Sequence, residues 1–197
     1  MEKVYVALVV MVTLALIVGI LGILNKSSNS QAIRESFENG FGEWSADADV
    51  PPDPNNPSYP VEWHVNRVTN VPRSGQYSLK FFIDGRQNEG TVWIEKKINV
   101  KKHTQIQVKV SFWLYSEQES FNTIAIVCAY LGAENPEVEE DFTVIGATNE
   151  VAGWKNYTHV VDLNTGSSGE IWVAVGISVR WETQMTYYID DIEVEVR

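Results

Sequence analysis

The sequence has little of what a disulfide, a nucleic-acid contact or a zinc site requires. A single Cys among 197 residues excludes an internal disulfide and any zinc site built from several cysteines. The 15 Lys and Arg residues stand against 26 Asp and Glu residues, and the resulting net charge of −11 repels phosphate. The composition therefore predicts that nucleic acid is not a partner of this chain.

Known catalytic patterns are missing as well. His64, His103 and His159 do not have the spacing of metal ligands, and there is no HExxH, GxSxG or glycine-rich phosphate-binding motif. Cys128 lies inside an apolar run, where a thiol is typically a small core residue. Carboxylates are abundant, so counting does not exclude a glycosidase pair, but no pattern marks an acid and a nucleophile. We therefore expect that the chain is not an enzyme.

The longest apolar run lies at the N-terminus. Residues 4–24 carry no charge, and as a helix with a rise of about 1.5 Å per residue they are about 31 Å long, enough to cross a hydrocarbon core of about 30 Å. The run is longer than the apolar part of most secretory signal peptides. The sequence predicts a single-pass signal-anchor over residues 1–24, with the C-terminal part extracytoplasmic. The alternative is secretion after cleavage near residues 28–30.

A polar tether over residues 25–32 separates this run from a region with the pattern of an all-β domain. Over residues 33–197, short β-branched and aromatic runs alternate with turns rich in Gly, Pro, Asn and Asp. About ten strands are predicted, which is typical of a β-sandwich or jelly roll. They lie near residues 33–38, 61–68, 76–84, 92–100, 105–116, 123–131, 142–145, 156–163, 170–181 and 186–196.

Alternation within two predicted strands indicates which side chains leave the core, because neighbouring residues of a strand point to opposite faces. The fifth strand places Trp113 and Tyr115 opposite its apolar face. The ninth places Trp172 and Arg180 at the two ends of its non-core face, with Ala, Gly and Ser between them. Large side chains at the ends and small ones in the middle predict a shallow groove.

Two surface loops are predicted from composition. Residues 47–60 contain five Pro, which cannot donate to a β-ladder, so we expect a rigid loop there. Residues 132–141 contain five carboxylates without the alternating Asp spacing of a preformed calcium loop. We expect this second segment to be a solvated acidic loop.

Five short motifs follow one another along the chain. They are FENGFGEW from Phe37, SGQYSLK from Ser74, VSFWL from Val110, Gly153-Trp154, and YYIDDIEV from Tyr187. Together they resemble the galactose-binding-like jelly roll of carbohydrate-binding modules, over residues 33–197. The resemblance implies the same fold and carbohydrate binding without catalysis, although this fold also serves in adhesins, spacer domains and protein contacts.

The resemblance also implies one structural calcium ion, Ca2+, that ties the first strand to the last. The implied ligands are the Glu38 carboxylate, backbone carbonyls around Ser74 to Gln76, and Asp190 or Asp191. Hard oxygen atoms of this kind are the ligands that calcium prefers. Because adjacent strand residues point to opposite faces, one of the two Asp side chains is expected to reach the ion, and the pattern favours Asp190. The alternative is that Asp190 accepts backbone N–H groups or pairs with a nearby cation.

Sugar rings have apolar faces and polar edges, so a sugar-binding surface needs aromatic side chains with polar neighbours. Trp63 and His64 are adjacent in one predicted strand, so one of them must face outward. The candidate ligand-binding residues are Trp113, Tyr115, Trp172, Arg180, Trp63 and His64. The alternative for each aromatic side chain is packing beneath a loop, and we expect packing roles for Trp44, Trp93 and Trp154.

These observations lead to one hypothesis and one rival. The hypothesis is a membrane-anchored, extracytoplasmic, non-catalytic domain that binds a polysaccharide or glycan and is stabilised by calcium. The rival is a structural surface or envelope protein that uses the same sandwich to associate with a protein partner. A groove with exposed aromatic and polar groups favours the carbohydrate, whereas a flat apolar patch or an unpaired edge strand favours the protein partner.

Overall fold

Two antiparallel β-sheets face each other across an apolar core in the computed structural model, which describes residues 31–87 and 89–197. Sheet A consists of β1 (Gln31–Glu35), β5 (Trp63–Val68), β6 (Ser78–Asp84), β8 (Gln105–Ser116), β11 (Gly153–Asn164) and β13 (Gln184–Val196). Sheet B consists of β2 (Ser45–Asp49), β7 (Thr91–Asn99), β9 (Ala125–Gly132), β10 (Thr143–Ala147) and β12 (Glu170–Val179). A separate hairpin pairs β3 (Pro52–Asp53) with β4 (Asn56–Pro60).

The C-terminal strand β13 organises sheet A, whose strands follow the order β11-β8-β13-β6-β5. On one side β13 pairs with β8 along most of its length. On its other side, residues 184–189 pair with β6 and residues 192–196 pair with β1. Sheet B has the order β10-β9-β12-β7-β2, so β12 is its central strand.

The core lies between the sheets, on the faces that alternation predicts. On β8 the buried core side chains are Ile106, Val108, Val110, Phe112 and Leu114. On β12 they are Ile171, Val173, Val175, Ile177 and Val179. Each of the ten predicted strands overlaps an observed one, and the expected all-β sandwich is confirmed.

The predicted rigid loop at residues 47–60 is wrong in part, because this stretch contributes strands. Residues 45–49 form β2 at the edge of sheet B, and Pro52 pairs with Pro60 in the β3–β4 hairpin. A proline is tolerated at a ladder position where its missing N–H is not required, as on an edge or in a short isolated hairpin. The five prolines therefore shorten these strands without preventing them.

The acidic stretch lies against the outer face of sheet B. We call residues 133–142 the covering segment. Its Phe142 ring packs 5.0 Å from the Trp93 ring, measured between centroids, and Glu139 forms a 2.9 Å ion pair with Arg180. The backbone N–H of Glu139 also donates to Asp49. The outer face beneath it is buried, including Trp93 and Ser178. The shallow groove predicted along β12 is therefore filled in its middle.

The predicted membrane anchor over residues 1–24, and most of the tether, lie outside the described residues. Within residues 31–87 and 89–197, no helix is long and apolar enough to span a membrane. Helical structure in this part of the chain is limited to two 3-10 turns, Gly85–Gln87 and Glu139–Asp141.

A substitution at Gly176 would test how closely β12 packs against β7. A Cβ atom at this position would overlap the Val92 carbonyl oxygen and lie 2.7 Å from Trp93 Cβ. We expect Gly176→Ala to lower the free energy of unfolding by about 2 kcal/mol, because the ladder must shift to admit a methyl group. Gly166→Ala is the matched control, since a Cβ atom there meets no heavy atom within 4 Å. Denaturant unfolding of both variants decides, and equal stability would contradict the close packing.

Candidate functional site

The outer face of sheet A carries a group of aromatic side chains that strand pairing brings together. Trp154 of β11 pairs with Tyr115 of β8, and Tyr115 pairs with Tyr188 of β13. In the next row, Thr186 of β13 pairs with Phe82 of β6, and Phe82 pairs with His64 of β5. We call this surface, defined by Trp154, Tyr115, Tyr188, Phe82 and His64, the aromatic face.

The rings of the aromatic face contact one another directly. The Tyr115 ring meets Trp154 and Tyr188 edge to face, with centroids 5.5 and 5.9 Å apart. The His64 ring stacks on Phe82 at 4.8 Å. Tyr188 is buried beneath its neighbours, whereas the other four rings are partly exposed. The rings thus form two groups in neighbouring rows of one sheet face, and both groups remain partly accessible from solvent.

Polar groups surround these rings. Lys80 Nζ lies 5.9 Å from the Phe82 ring centroid, and Asn70 Nδ2 donates to the Tyr188 hydroxyl at 3.2 Å. Desolvation and the nearby Lys80 lower the pKa of His64 below its usual range. His64 is therefore neutral at pH 7, with one ring nitrogen donating and the other accepting. An aromatic surface bordered by a cation, amides and a neutral imidazole can bind a polyol.

Trp113 lies on the same sheet face, but a loop covers its ring. The Arg73 guanidinium sits 3.8 Å from the Trp113 ring centroid and pairs with Asp191. A cavity of about 440 Å3 opens beside it, with Trp113, Ser111, Asn156 and Arg34 among its lining residues. A sugar cannot stack on the part of Trp113 that Arg73 already occupies.

The six predicted ligand-binding residues do not form one surface. Tyr115 and His64 belong to the aromatic face, and Trp113 lies on the same sheet under Arg73. Trp172 is on the outer face of sheet B. Trp63, which pairs with the core residue Ile83, packs against the core.

Arg180 also belongs to sheet B, where its guanidinium is already used. It pairs with Glu139 at 2.9 Å and donates to the Ser178 hydroxyl at 2.8 Å. This arginine holds the covering segment in place. The non-core residues singled out on β8 and β12 do not meet, because these strands lie in different sheets and their non-core faces point in opposite directions.

Three members of the aromatic face were not predicted as ligand-binding residues. Trp154 was expected to pack in the interior, and Tyr188 and Phe82 were not singled out. Each carries the parity of a non-core residue, which alternation can identify once the strand bounds are known. Their assembly depends on β11, β8, β13 and β6 being neighbours, and that order is not readable from parity.

The residues predicted to hold calcium do gather around one turn. Asp190 Oδ2 accepts the backbone N–H groups of Arg73 and Ser74 at 2.9 and 3.2 Å, and Asp190 Oδ1 accepts that of Asp191 at 2.7 Å. Asp191 accepts the Ser74 hydroxyl at 2.7 Å and pairs with Arg73. The expectation that the two Asp residues point to opposite faces fails here. A β-bulge between Asp190 and Glu193, with Asp191 at φ 49°, turns both toward the same loop.

Glu38 and Arg67 bind the other side of the same turn. The Glu38 carboxylate accepts the N–H groups of Gln76 and Tyr77 at 3.0 Å. The Arg67 guanidinium donates to the carbonyls of Phe37 and Glu38, each at 2.5 Å. It also lies 3.2 Å from the centroid of the Tyr77 ring.

This donor set does not fit calcium as it is arranged. Calcium needs six to eight oxygen ligands, whereas the oxygens of Glu38, Asp190 and Asp191 already accept hydrogen bonds from the protein. Within the described chain, no three His, Cys, Asp or Glu side chains are grouped so as to hold a metal ion. Two guanidinium groups supply positive charge at this turn instead, and the calcium site stays a prediction.

The groups that could have suggested catalysis are enclosed. Burial raises the pKa of the Cys128 thiol, so it is not a thiolate at neutral pH. Burial also raises the pKa of Glu95, with Asp47 and Glu137 as nearby like charges. Glu95 accepts the Trp93 indole N–H at 2.7 Å on the covered face of sheet B. Neither group lines the aromatic face.

No protein-family model matches the chain, and no curated protein matches it in sequence. Solved structures are similar in fold. A module described in a study of promiscuous specificity among carbohydrate-binding modules of the β-sandwich superfamily is 18% identical, with a TM-score of 0.52 over 82% of this chain and 60% of that one.

Two xylan-binding domains of Paenibacillus barcinonensis Xyn10C are also similar. CBM22-1 is 13% identical with a TM-score of 0.51, covering 83% of this chain and 92% of its own. CBM22-2 is 16% identical with a TM-score of 0.50, and the match covers 82% of this chain and 97% of CBM22-2. The chain has the β-sandwich fold of these modules. At these identities the comparison concerns the fold and not the ligand.

Asp190 is expected to be the most important polar residue for stability at this turn. It is fully buried, and Asp190→Ala would leave three backbone N–H groups without their acceptor, at about 1–3 kcal/mol each. We expect a loss of about 3 kcal/mol or more in unfolding free energy. Asp191→Ala, which removes a more exposed ion pair, should lose about 1 kcal/mol or less. Denaturant titration measures both, and equal losses would contradict the assignment.

A second test separates the two kinds of cation at the turn. We expect the melting temperature of the full chain to be the same in calcium and in chelator, because the carboxylates already have protein donors. Arg67→Ala should lower the unfolding free energy by about 2 kcal/mol, since two charged hydrogen bonds to carbonyls are lost. A melting temperature that rises with calcium concentration would instead support the calcium site.

Proposed function

We propose that this domain binds a carbohydrate chain, without cleaving it, on the aromatic face of sheet A. The observation that carries the proposal is the contrast between the two outer sheet faces. On sheet B the covering segment buries the central side chains. On sheet A the aromatic face keeps four partly exposed rings beside Lys80. Surface aromatics left uncovered by the chain's own loops commonly mark an interaction site.

The chemistry of the aromatic face suits a sugar. The apolar C–H face of a pyranose ring packs on aromatic rings, and its hydroxyl groups need donors and acceptors around the edge. Lys80 supplies a hydrogen-bond donor, and neutral His64 supplies both a donor and an acceptor. Thr186 lies in the same row of the sheet as Phe82 and His64. The rings follow neighbouring strands across the sheet, so the surface suits several sugar units better than a single one.

The similarity in fold to xylan-binding domains supports this proposal without defining the sugar. Xylan is therefore the first ligand to test. Our sequence-based prediction of a signal-anchor over residues 1–24 adds that the domain is held at a membrane and retains a polysaccharide near the cell surface. The alternative remains that the domain is secreted. Calcium is not part of this proposal, because the carboxylates at the turn that would hold it already accept hydrogen bonds from N–H groups of the protein.

The rival function, association with a protein partner, would use an unpaired edge or an apolar patch. β10 is an edge strand of sheet B, and its Val144 is exposed. The other exposed apolar side chains, such as Tyr59, Val138 and Val160, belong to separate elements of the described chain. Single exposed apolar residues are normal on protein surfaces, and we therefore favour the carbohydrate.

The test uses the full chain in detergent micelles and insoluble xylan, mannan and β-1,4-galactan. We expect retention on at least one polysaccharide, and at least tenfold weaker binding for Tyr115→Ala, because removing a central aromatic side chain commonly costs more than about 1.4 kcal/mol. Lys80→Gln gives a second variant on the aromatic face. Trp172→Ala on sheet B is the matched control and should bind like the original chain.

Melting curves first establish that each variant is folded. A folded chain retained on none of the three polysaccharides would overturn the proposal and favour a protein partner. The same holds if Tyr115→Ala and Lys80→Gln bind as the original chain does, because the aromatic face would then not be the binding surface.

A further inference from the structure

A separate cavity lies at the end of the sandwich where β8 ends and β13 begins. It has a volume of about 530 Å3 and is bounded by residues 117–124 and 181–187. Its lining includes Glu117, Gln118, Asn122, Trp181, Gln184 and Thr186. We call it the pole pocket. Cavities of this volume are in the usual range for small-molecule sites.

The frame of the pole pocket is fixed by a buried amide. Asn149 Oδ1 accepts the hydroxyls of Tyr187 at 2.6 Å and Thr148 at 2.7 Å, and Asn149 Nδ2 donates to the Gln118 carbonyl at 2.9 Å. The Asn149 carbonyl accepts the Ser120 N–H at 3.0 Å. One buried side chain thus connects both walls of the pocket, and a fixed frame lowers the entropy that binding must offset.

Two exposed aromatic side chains stand at this end of the molecule. Trp181 lines the pocket and is 56% exposed, and Phe121, which is not a lining residue but lies in the bounding segment 117–124, is fully exposed. The backbone beneath Trp181 is held by bonds from Arg180 N–H to the Ile124 carbonyl and from Thr183 N–H to the Trp181 carbonyl. The fold gains no core burial from either ring, so the Trp181 indole, on a backbone fixed by hydrogen bonds, is available to stack on a ligand.

The polar side chains that line the pole pocket indicate which class of ligand it can bind. Amide and hydroxyl side chains of Gln118, Asn122, Gln184 and Thr186 can donate and accept hydrogen bonds. Glu117 is a negatively charged lining residue, and in the described chain no Lys, Arg or His lines the pocket. A carboxylate or sulfate on the ligand would meet a negative side chain without a compensating cation. The lining therefore disfavours an anionic ligand, and its amide and hydroxyl groups suit a polyol.

We propose that the pole pocket is a second carbohydrate-binding site, which takes a neutral sugar stacked on Trp181. It extends the proposed function and rests on the domain being a carbohydrate binder. The two sites use different residues, because Tyr115 is outside the lining of the pole pocket and Trp181 is outside the aromatic face.

The pole pocket lies far from the N-terminal start of the described domain. Gln31 pairs with Val196 at one end of β13, and the pole pocket surrounds its other end at Gln184. At about 3.3 Å per residue, these ends are about 40 Å apart. The pocket therefore lies far from the point where the chain enters the domain. Two sites on one molecule raise the avidity for a polymer.

The experiment titrates the full chain in micelles with xylotriose, mannotriose and β-1,4-galactotriose, by calorimetry. We expect two sites for at least one trisaccharide. Trp181→Ala should remove one site or weaken it at least tenfold, and Trp181→Phe should keep most of the affinity because a ring remains. Tyr115→Ala should leave the Trp181 site intact. Trp172→Ala is the matched control on sheet B, and a uronic-acid trisaccharide is the charged counterpart.

The results separate the two proposals. If Trp181→Ala keeps both sites and their affinities while Tyr115→Ala loses one, the pole pocket is not a sugar site and the aromatic face stands. If Trp181→Ala loses a site while Tyr115→Ala is unchanged, the pole pocket stands and the aromatic face fails. If the uronic-acid trisaccharide binds at the Trp181 site as tightly as the neutral trisaccharides do, the inference that this site selects neutral sugars is overturned. A chain that binds no trisaccharide overturns the pole pocket proposal.

Discussion

A buried carboxylate on the central strand of sheet A determines where a loop covers the outer face of that sheet. Asp190 accepts the backbone N–H groups of Arg73 and Ser74, so it fixes the loop before β6 against the outer face of the sheet. Through this loop Arg73 reaches the Trp113 ring and covers it. The rows nearer the start of β13 lie beyond the loop, and the aromatic face remains open there. Burial raises the pKa of Asp190, a sign that desolvation opposes its charge although three N–H groups stabilise it.

The two sheets treat their outer faces in opposite ways, and the reason lies in the side chains at the sheet surface. Sheet B has the small residues Ala174 and Gly176 at its centre, where Gly176 pairs with Trp93 and the Phe142 ring packs on the Trp93 ring. Glu139 then joins Arg180 and Thr91 to the covering segment. Sheet A has large rings at the corresponding depth, and these rings pack against one another. Four of these rings stay partly exposed.

How much could be read from the sequence depends on whether a property is local. The period of two in β8 and β12 is local, and it identified both core faces correctly. The assignment of Tyr115 to an outer face needed the same period and nothing more, whereas the choice between Trp63 and His64 was left open until the pairing of β5 with β6 was known. Trp172 was placed with Tyr115 because parity was known and sheet membership was not. Sheet membership depends on hydrogen bonds between segments far apart in sequence, which a pattern along one segment does not contain.

Two errors came from backbone geometry that residue types express weakly. The β-bulge in β13 adds residues against one partner strand, so Asp190 and Asp191 both face the turn at Arg73 although strict alternation separates them. The prolines of residues 51–60 were taken as barriers to pairing, yet a two-stranded hairpin needs few donors and Pro52 pairs with Pro60. In both places the ladder tolerates an exception that a rule based on period or propensity excludes.

The cations at the turn between Glu38 and Asp190 have a thermodynamic consequence. A bound metal stabilises a fold by an amount that depends on its concentration, because the ion must be taken from solution. The guanidinium groups of Arg67 and Arg73 are part of the chain, and their contacts with the carbonyls of residues 37 and 38 and with Asp191 do not require an ion from solution. We therefore expect a turn stabilised in this way to keep β1 and β13 connected independently of divalent ions. The aromatic face is built on β13 and its neighbours, so its geometry should be equally independent of divalent ions.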